Sequence, residues 1–88
     1  MATLAALAVT PGAGWTAYTG TDGVLGLTQN KSRSLMFYAE ATSEPAETFA
    51  GHALEPGNAV NKQSSAATVY VRIKGGSPGA AVFSTVDA

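Results

Sequence analysis

The chain has 88 residues, a net charge of −1, no cysteine, and charged side chains at only 12% of positions. That length builds one domain with a small core, and the domain must hold together without a disulfide or a thiolate metal site. The near-neutral balance removes the basic field on which nucleic-acid binding depends. The longest apolar run, Leu4 to Val9, is far short of the ~20 residues that cross a membrane.

Hydrophobic residues make up 45% of the chain, an ordinary share, whereas its charge is about half of the usual ~25%. Normal apolarity argues against disorder. Low charge implies that part of the surface faces protein rather than water, so the expectation is a homo-oligomer or a subunit of a larger assembly. Met1-Ala-Thr-Leu4 carries no basic segment ahead of the apolar run, so no secretory leader is expected and synthesis in a cytoplasm is.

In chain order, Thr3 to Thr10 is apolar and rich in alanine, and Pro11-Gly-Ala-Gly14 ends it. Residues 1–14 thus read as an N-terminal arm or a first strand, and 15–88 as a single β domain. Trp15 to Thr19 and Val24 to Gln29 read as two strands joined at Asp22-Gly23, a strong hairpin signal. Leu35 to Ala41 is apolar on both faces at its centre, as a middle strand is. Thr42 to Ala53 reads as an excursion with one helical turn, Ser43 at its cap and Glu44 at its positive end, and with Phe49 as its anchor. Leu54-Glu-Pro-Gly57 is a turn, Asn58 to Gln63 a short strand and Ser64-Ser-Ala66 a tight link. Ala67 to Lys74 alternates strictly, Gly75-Gly-Ser-Pro-Gly79 breaks the pattern, and Ala80 to Val86 resumes it. The last quarter therefore predicts a β-hairpin with Val69, Val71 and Ile73 inward and Tyr70, Arg72 and Lys74 outward. Six to seven short strands, with turns every 8–12 residues, predict an all-β fold: a small antiparallel β-sandwich or barrel.

The catalytic inventory is empty. His52 is the single histidine, so neither a His/Cys metal set nor a serine–histidine pair can be assembled around it. Glu44 and Glu47 lie three apart beside Pro45, in a domain too small for the deep cleft of a glycosidase. Gly20-Thr-Asp-Gly-Val-Leu-Gly26 lacks the Lys-Ser/Thr and the helix of a phosphate-binding loop. Asn30-Lys-Ser32 matches the three-residue glycosylation pattern. No enzyme activity, cofactor or metal is expected. Tyr70, Arg72 and Lys74 on one strand face, with Tyr38 nearby, would make the aromatic and basic platform of an oligonucleotide-binding barrel. The acidic balance speaks against it.

From about Val24 onward the chain resembles small bacteriophage virion structural proteins. The cues are Leu35-Met-Phe-Tyr-Ala39, Ser43-Glu-Pro-Ala46, Gly51-His-Ala-Leu-Glu-Pro-Gly57 and Val69-Tyr-Val-Arg72. They span about two thirds of the chain and are fold motifs, so nothing catalytic carries over. Thr3 to Gly14 stands outside the pattern. The resemblance implies a β-sandwich or barrel subunit of a capsid or tail, located in the virion after synthesis in a bacterial cytoplasm. Its partners would be the major capsid protein or another virion protein, and copies of itself. A capsid decoration or head-stabilising role is the leading expectation, with Leu4, Leu7, Val9 and Phe49 as subunit contacts. The rival is a glycan-binding tail or fibre module, for which Trp15 or Tyr18 would line a shallow groove.

Overall fold

The computed structural model describes residues 4–85; residues 1–3 and Val86, the outer limits of the first and last expected strands, lie outside them. Eight strands follow in order: β1 (Leu7–Val9), β2 (Thr16–Tyr18), β3 (Gly26–Asn30), β4 (Met36–Ala41), β5 (His52–Leu54), β6 (Ala59–Asn61), β7 (Thr68–Arg72) and β8 (Gly79–Thr85). They form two four-stranded sheets, β1-β8-β3-β6 (sheet A) and β2-β7-β4-β5 (sheet B), with every ladder antiparallel. The all-β sandwich expected from the turn spacing is the fold.

The pairing has a simple origin. β4 pairs with β5, β3 with β6, β2 with β7 and β1 with β8. The chain is one long antiparallel ribbon whose tip is the loop between β4 and β5. The ribbon bends at three corners, so its paired segments fall alternately into sheet B and sheet A. The ladders β3–β8 and β4–β7 then join the segments within each sheet. Eight strands in this order make a jelly roll.

Each corner is tied across its two arms. At the first, Gly12 N donates to Ile73 O at 2.9 Å. At the second, Gly23 N donates to Ser65 O, and the Lys62 ammonium reaches three carbonyls. At the third, Asn30 binds both arms: its amide donates to Ser34 O (2.9 Å) and Leu54 O (2.8 Å), and its oxygen accepts from the backbone and hydroxyl of Ser32.

The core lies between the sheets. Met36, Tyr38, Leu54, Val69, Val71 and Ile73 come from sheet B and its flanks; Val9, Ala81 and Phe83 come from sheet A. Alternation along β7 places Val69, Val71 and Ile73 there, as read from the sequence.

Three expectations are corrected. β7 and β8 do not form a hairpin: β7 lies between β2 and β4 in one sheet, and β8 between β1 and β3 in the other. β2 and β3 are likewise in different sheets. The link between β7 and β8, residues 73–78, reaches roughly 20 Å, enough to cross the ~10 Å between packed sheets. Turn residues specify that the chain bends and leave open whether it bends within a sheet or across to the next. The described strands number eight rather than six or seven, because β5 is three residues long with His52 and Ala53 exposed and carries no apolar alternation. The excursion has no helical turn; it runs irregularly with one turn at Glu47–Thr48, closed by Phe49 N donating to Ala46 O at 2.9 Å.

Candidate interaction surfaces

The two outer faces of the sandwich differ. On sheet B, Tyr70 and Arg72 point away from the main core, as alternation requires, yet both are buried. The excursion folds over Arg72 and over Trp15, which packs with Tyr70. Trp15 Nε1 donates to Ala46 O at 3.2 Å, and Phe49 tilts against the Trp15 ring with centroids 6.1 Å apart. Arg72 stacks over Trp15 at 5.4 Å and meets the Glu47 carboxylate at 3.1 Å. Trp15, Ala39 and Tyr70, flanked by Phe37 and Ala41, thus make a second small core. Lys74 alone of the expected outward trio is exposed, with its ammonium over the Phe37 ring at 4.9 Å.

This arrangement changes what the surface offers. The aromatic and basic platform is covered by the chain's own loop. Trp15 and Tyr18, the residues that a glycan groove would use, are both buried. Val9 is buried as well, and Leu4 and Leu7 pack against the core beside it. Val9 belongs to the core of the domain itself, and Leu4 and Leu7 are partly buried against it; β1 is a strand of sheet A. Of the four expected subunit contacts, Phe49 remains open, at 51% exposure.

Sheet A has no such cover. Register places Ala8 opposite Ala80, Leu27 between Asn61 and Ser84, and Gln29 between Ala59 and Val82. Leu25, two residues before Leu27, is exposed with it. Among the described residues, this four-stranded outer face holds small, amide and aliphatic side chains and not one charge. The sequence signal was present: Val24 to Gln29 alternates, and its Leu25 and Leu27 share a face. Solvent exposure of that face could not be read without knowing what Thr28 and Asn30 pack against.

A groove of about 580 Å³ opens where β5 and β6 border the sandwich, with Phe49, His52, Val60, Asn61 and Gln63 among its walls. Glu40 lies in it with its carboxylate already engaged. It accepts from Gln63 N (2.9 Å), Ser64 N (2.8 Å) and the Tyr38 hydroxyl (2.9 Å). Burial, then the Glu40 carboxylate that accepts its proton, push the Tyr38 phenol well above its ordinary value. Lys62 is 4% exposed, and its ammonium donates to Thr21 O (2.7 Å), Val24 O (2.7 Å) and Ser65 O (2.9 Å). Burial lowers its pKa, and the charges of Glu40 and Asp22 oppose that shift. Sequence reading marks Asn30 only as a glycosylation match and Lys62 not at all, since a lone cation and a lone amide among polar loop residues look solvated.

Among the described residues, no three His, Asp or Glu side chains converge as a metal site. Asn30 is fully buried with its amide bonded twice, so the glycosylation pattern is out of reach in the folded protein. No family model, no curated protein and no solved structure matches the chain.

Proposed function

We propose that the protein is a non-enzymatic structural subunit of a bacteriophage virion, most simply a capsid decoration or head-stabilising protein acting through its surface. The observation that carries this reading is the uncharged outer face of sheet A, with Leu27 exposed on it and Leu25 exposed where that face meets the end of the sandwich. Interface cores are depleted of charge, whereas a face made for water carries it. The jelly roll supports the reading as a rigid scaffold shared by viral capsid and lectin domains; the surface, not the fold, divides those roles. Burial of Trp15 and Tyr18 favours the structural role over the glycan-binding one. Partners would be the major capsid protein or another virion protein, and copies of the chain.

Mass spectrometry of gradient-purified virions tests this. The protein should be present in many copies, and a phage carrying Leu27→Glu should lose it from the particle while the purified variant still folds. A protein absent from particles, or retained despite the Leu27 change, overturns the reading.

A further inference from the structure

The topology sorts the exposed charges by end. The loops that join β1 to β2, β3 to β4, β5 to β6 and β7 to β8 gather at one end of the sandwich. Lys31 and Arg33 lie in the second of these and Lys74 in the fourth, against Glu55 in the third; the Glu47 carboxylate, carried from the β4–β5 loop to the Gly14 side of this end, is paired with Arg72. At the opposite end are the loops after β2 and β6 and the start of the loop after β4, whose later part folds back over sheet B. Asp22 is exposed in the first, and Glu44 three residues past β4. The other two charges described there are opposite in sign and act on each other: Glu40 accepts from backbone N–H groups and Lys62 donates to carbonyls. Each end also presents one exposed leucine, Leu35 on the basic end and Leu25 on the acidic end.

We infer that copies of this protein associate head to tail, the basic end of one against the acidic end of the next. This deepens the proposed role by naming one of its partners, and it rests on that role only for its biological setting. The alternatives fit worse. Like ends brought together about a twofold axis would oppose cation to cation or carboxylate to carboxylate. Opposite ends brought together pair Lys31, Arg33 and Lys74 with Asp22 and Glu44, and seat Leu35 near Leu25. Such a contact is heterologous, so it propagates as a row or closes as a ring. An end of a body measuring 36 × 24 × 17 Å offers roughly half of the ~800 Å² per partner of a standard interface. The association is therefore weak between isolated copies and gains strength where a surface already holds them side by side.

Sedimentation of the purified chain with two charge variants tests this. Lys31→Glu/Arg33→Glu makes both ends acidic. Asp22→Asn/Glu44→Lys makes both basic, with Asp22 neutralised rather than reversed because its charge acts on Lys62. All four positions are exposed, and thermal melts show whether each variant folds. Wild type should associate at low salt and weaken at least about tenfold near 0.3 M NaCl, where screening is strong. Each variant alone should be monomeric, and an equal mixture of the two should associate again. A wild type that stays monomeric at millimolar concentration and low salt overturns the inference, as does a mixture that stays monomeric. Association indifferent to salt and to both variants, yet abolished by Leu27→Glu, overturns it too while leaving the sheet A contact standing.

Discussion

Tyr18 of sheet B and Phe83 of sheet A hold each other twice across the sandwich: their rings meet edge to face at 6.0 Å, and the Phe83 N–H donates to the Tyr18 hydroxyl at 3.1 Å. The same hydroxyl donates to Ala5 O at 2.6 Å. One phenol thus satisfies a buried N–H of β8 and fastens the segment leading into β1. Tyr18→Phe keeps the ring and leaves both backbone groups without that partner. A buried group left unsatisfied costs about 1–3 kcal/mol, so the urea midpoint should fall by that equivalent with an unchanged slope. A change within 0.3 kcal/mol would show that water replaces the hydroxyl at no cost.

Two of the buried phenols, those of Tyr18 and Tyr38, set an alkaline limit. Burial raises the Tyr18 pKa, although the Phe83 N–H bond works the other way, and Tyr38 is raised further by burial and Glu40. Unfolded phenols ionise near pH 10. Above that pH the native state binds more protons than the unfolded one, so stability is intact below pH ~10 and declines as pH rises beyond it. Urea midpoints compared between pH 9 and pH 11 should drop in wild type and drop less in Tyr38→Phe. An equal drop in both would remove Tyr38 from the account.

Strand positions were legible because burial imposes a period of two on β3 and β8, and because the sequence of β7 alternates between core valines and larger outward side chains. Partners were not. Asp22-Gly23 and Gly75–Gly79 mark ribbon corners, and their glycines serve a bend between sheets as readily as a hairpin. What decides is whether both edges of a strand are already taken, and that depends on strands far away in sequence. Burial of Tyr70 and Arg72 was hidden for a related reason. Alternation put them on the outer face, while Tyr70 packs with Trp15 and Arg72 lies between Trp15 and Glu47, and Trp15 is held by Ala46 and Phe49 of a segment with no apolar periodicity. The open face of sheet A was half visible, in Leu25 and Leu27.

Arg72 and Glu47 form an ion pair of unequal partners. The Arg72 side chain is 9% exposed and that of Glu47 is 68%. An exposed carboxylate contributes about 0–1 kcal/mol to such a pair. The guanidinium, stacked over Trp15, also fills space. Glu47→Gln should therefore cost under about 1 kcal/mol, and Arg72→Ala about 2–3 kcal/mol with a red shift of Trp15 emission. Equal costs for the two changes would mean that charge pairing, not packing, holds the excursion down.

Gly26 is fixed by space rather than by backbone angle. A methyl group there would strike the Ser84 carbonyl oxygen and come within 2.7 Å of the Phe83 ring. Gly23, three residues earlier, has open space around it but a φ of +83°. Gly26→Ala should cost 3 kcal/mol or more, at the upper end of overpacking, because backbone and core ring must both shift. Gly23→Ala should cost about 1–2 kcal/mol, the strain of a left-handed alanine. Thermal melts rank the two, and a milder Gly26→Ala would mean that β3 can move away from β8.

Lys62 closes the second corner of the ribbon. Its ammonium binds Thr21 O and Val24 O on one arm and Ser65 O on the other, and Thr21 in turn accepts the Val69 N–H at 2.9 Å. Lys62→Met keeps the stem and removes the three charged donors. Bonds to a charged group are worth about 1.5–3 kcal/mol each and overlap when they share one atom. The escape of one buried charge offsets part of the loss. A net cost of about 2–4 kcal/mol follows, with amide exchange speeding first at Gly23 and Val69, whose N–H groups are bonded within this corner. If Lys62→Met instead matched or exceeded wild-type stability, as some replaced buried charges do, backbone bonds such as Gly23 N to Ser65 O would be holding the corner without it.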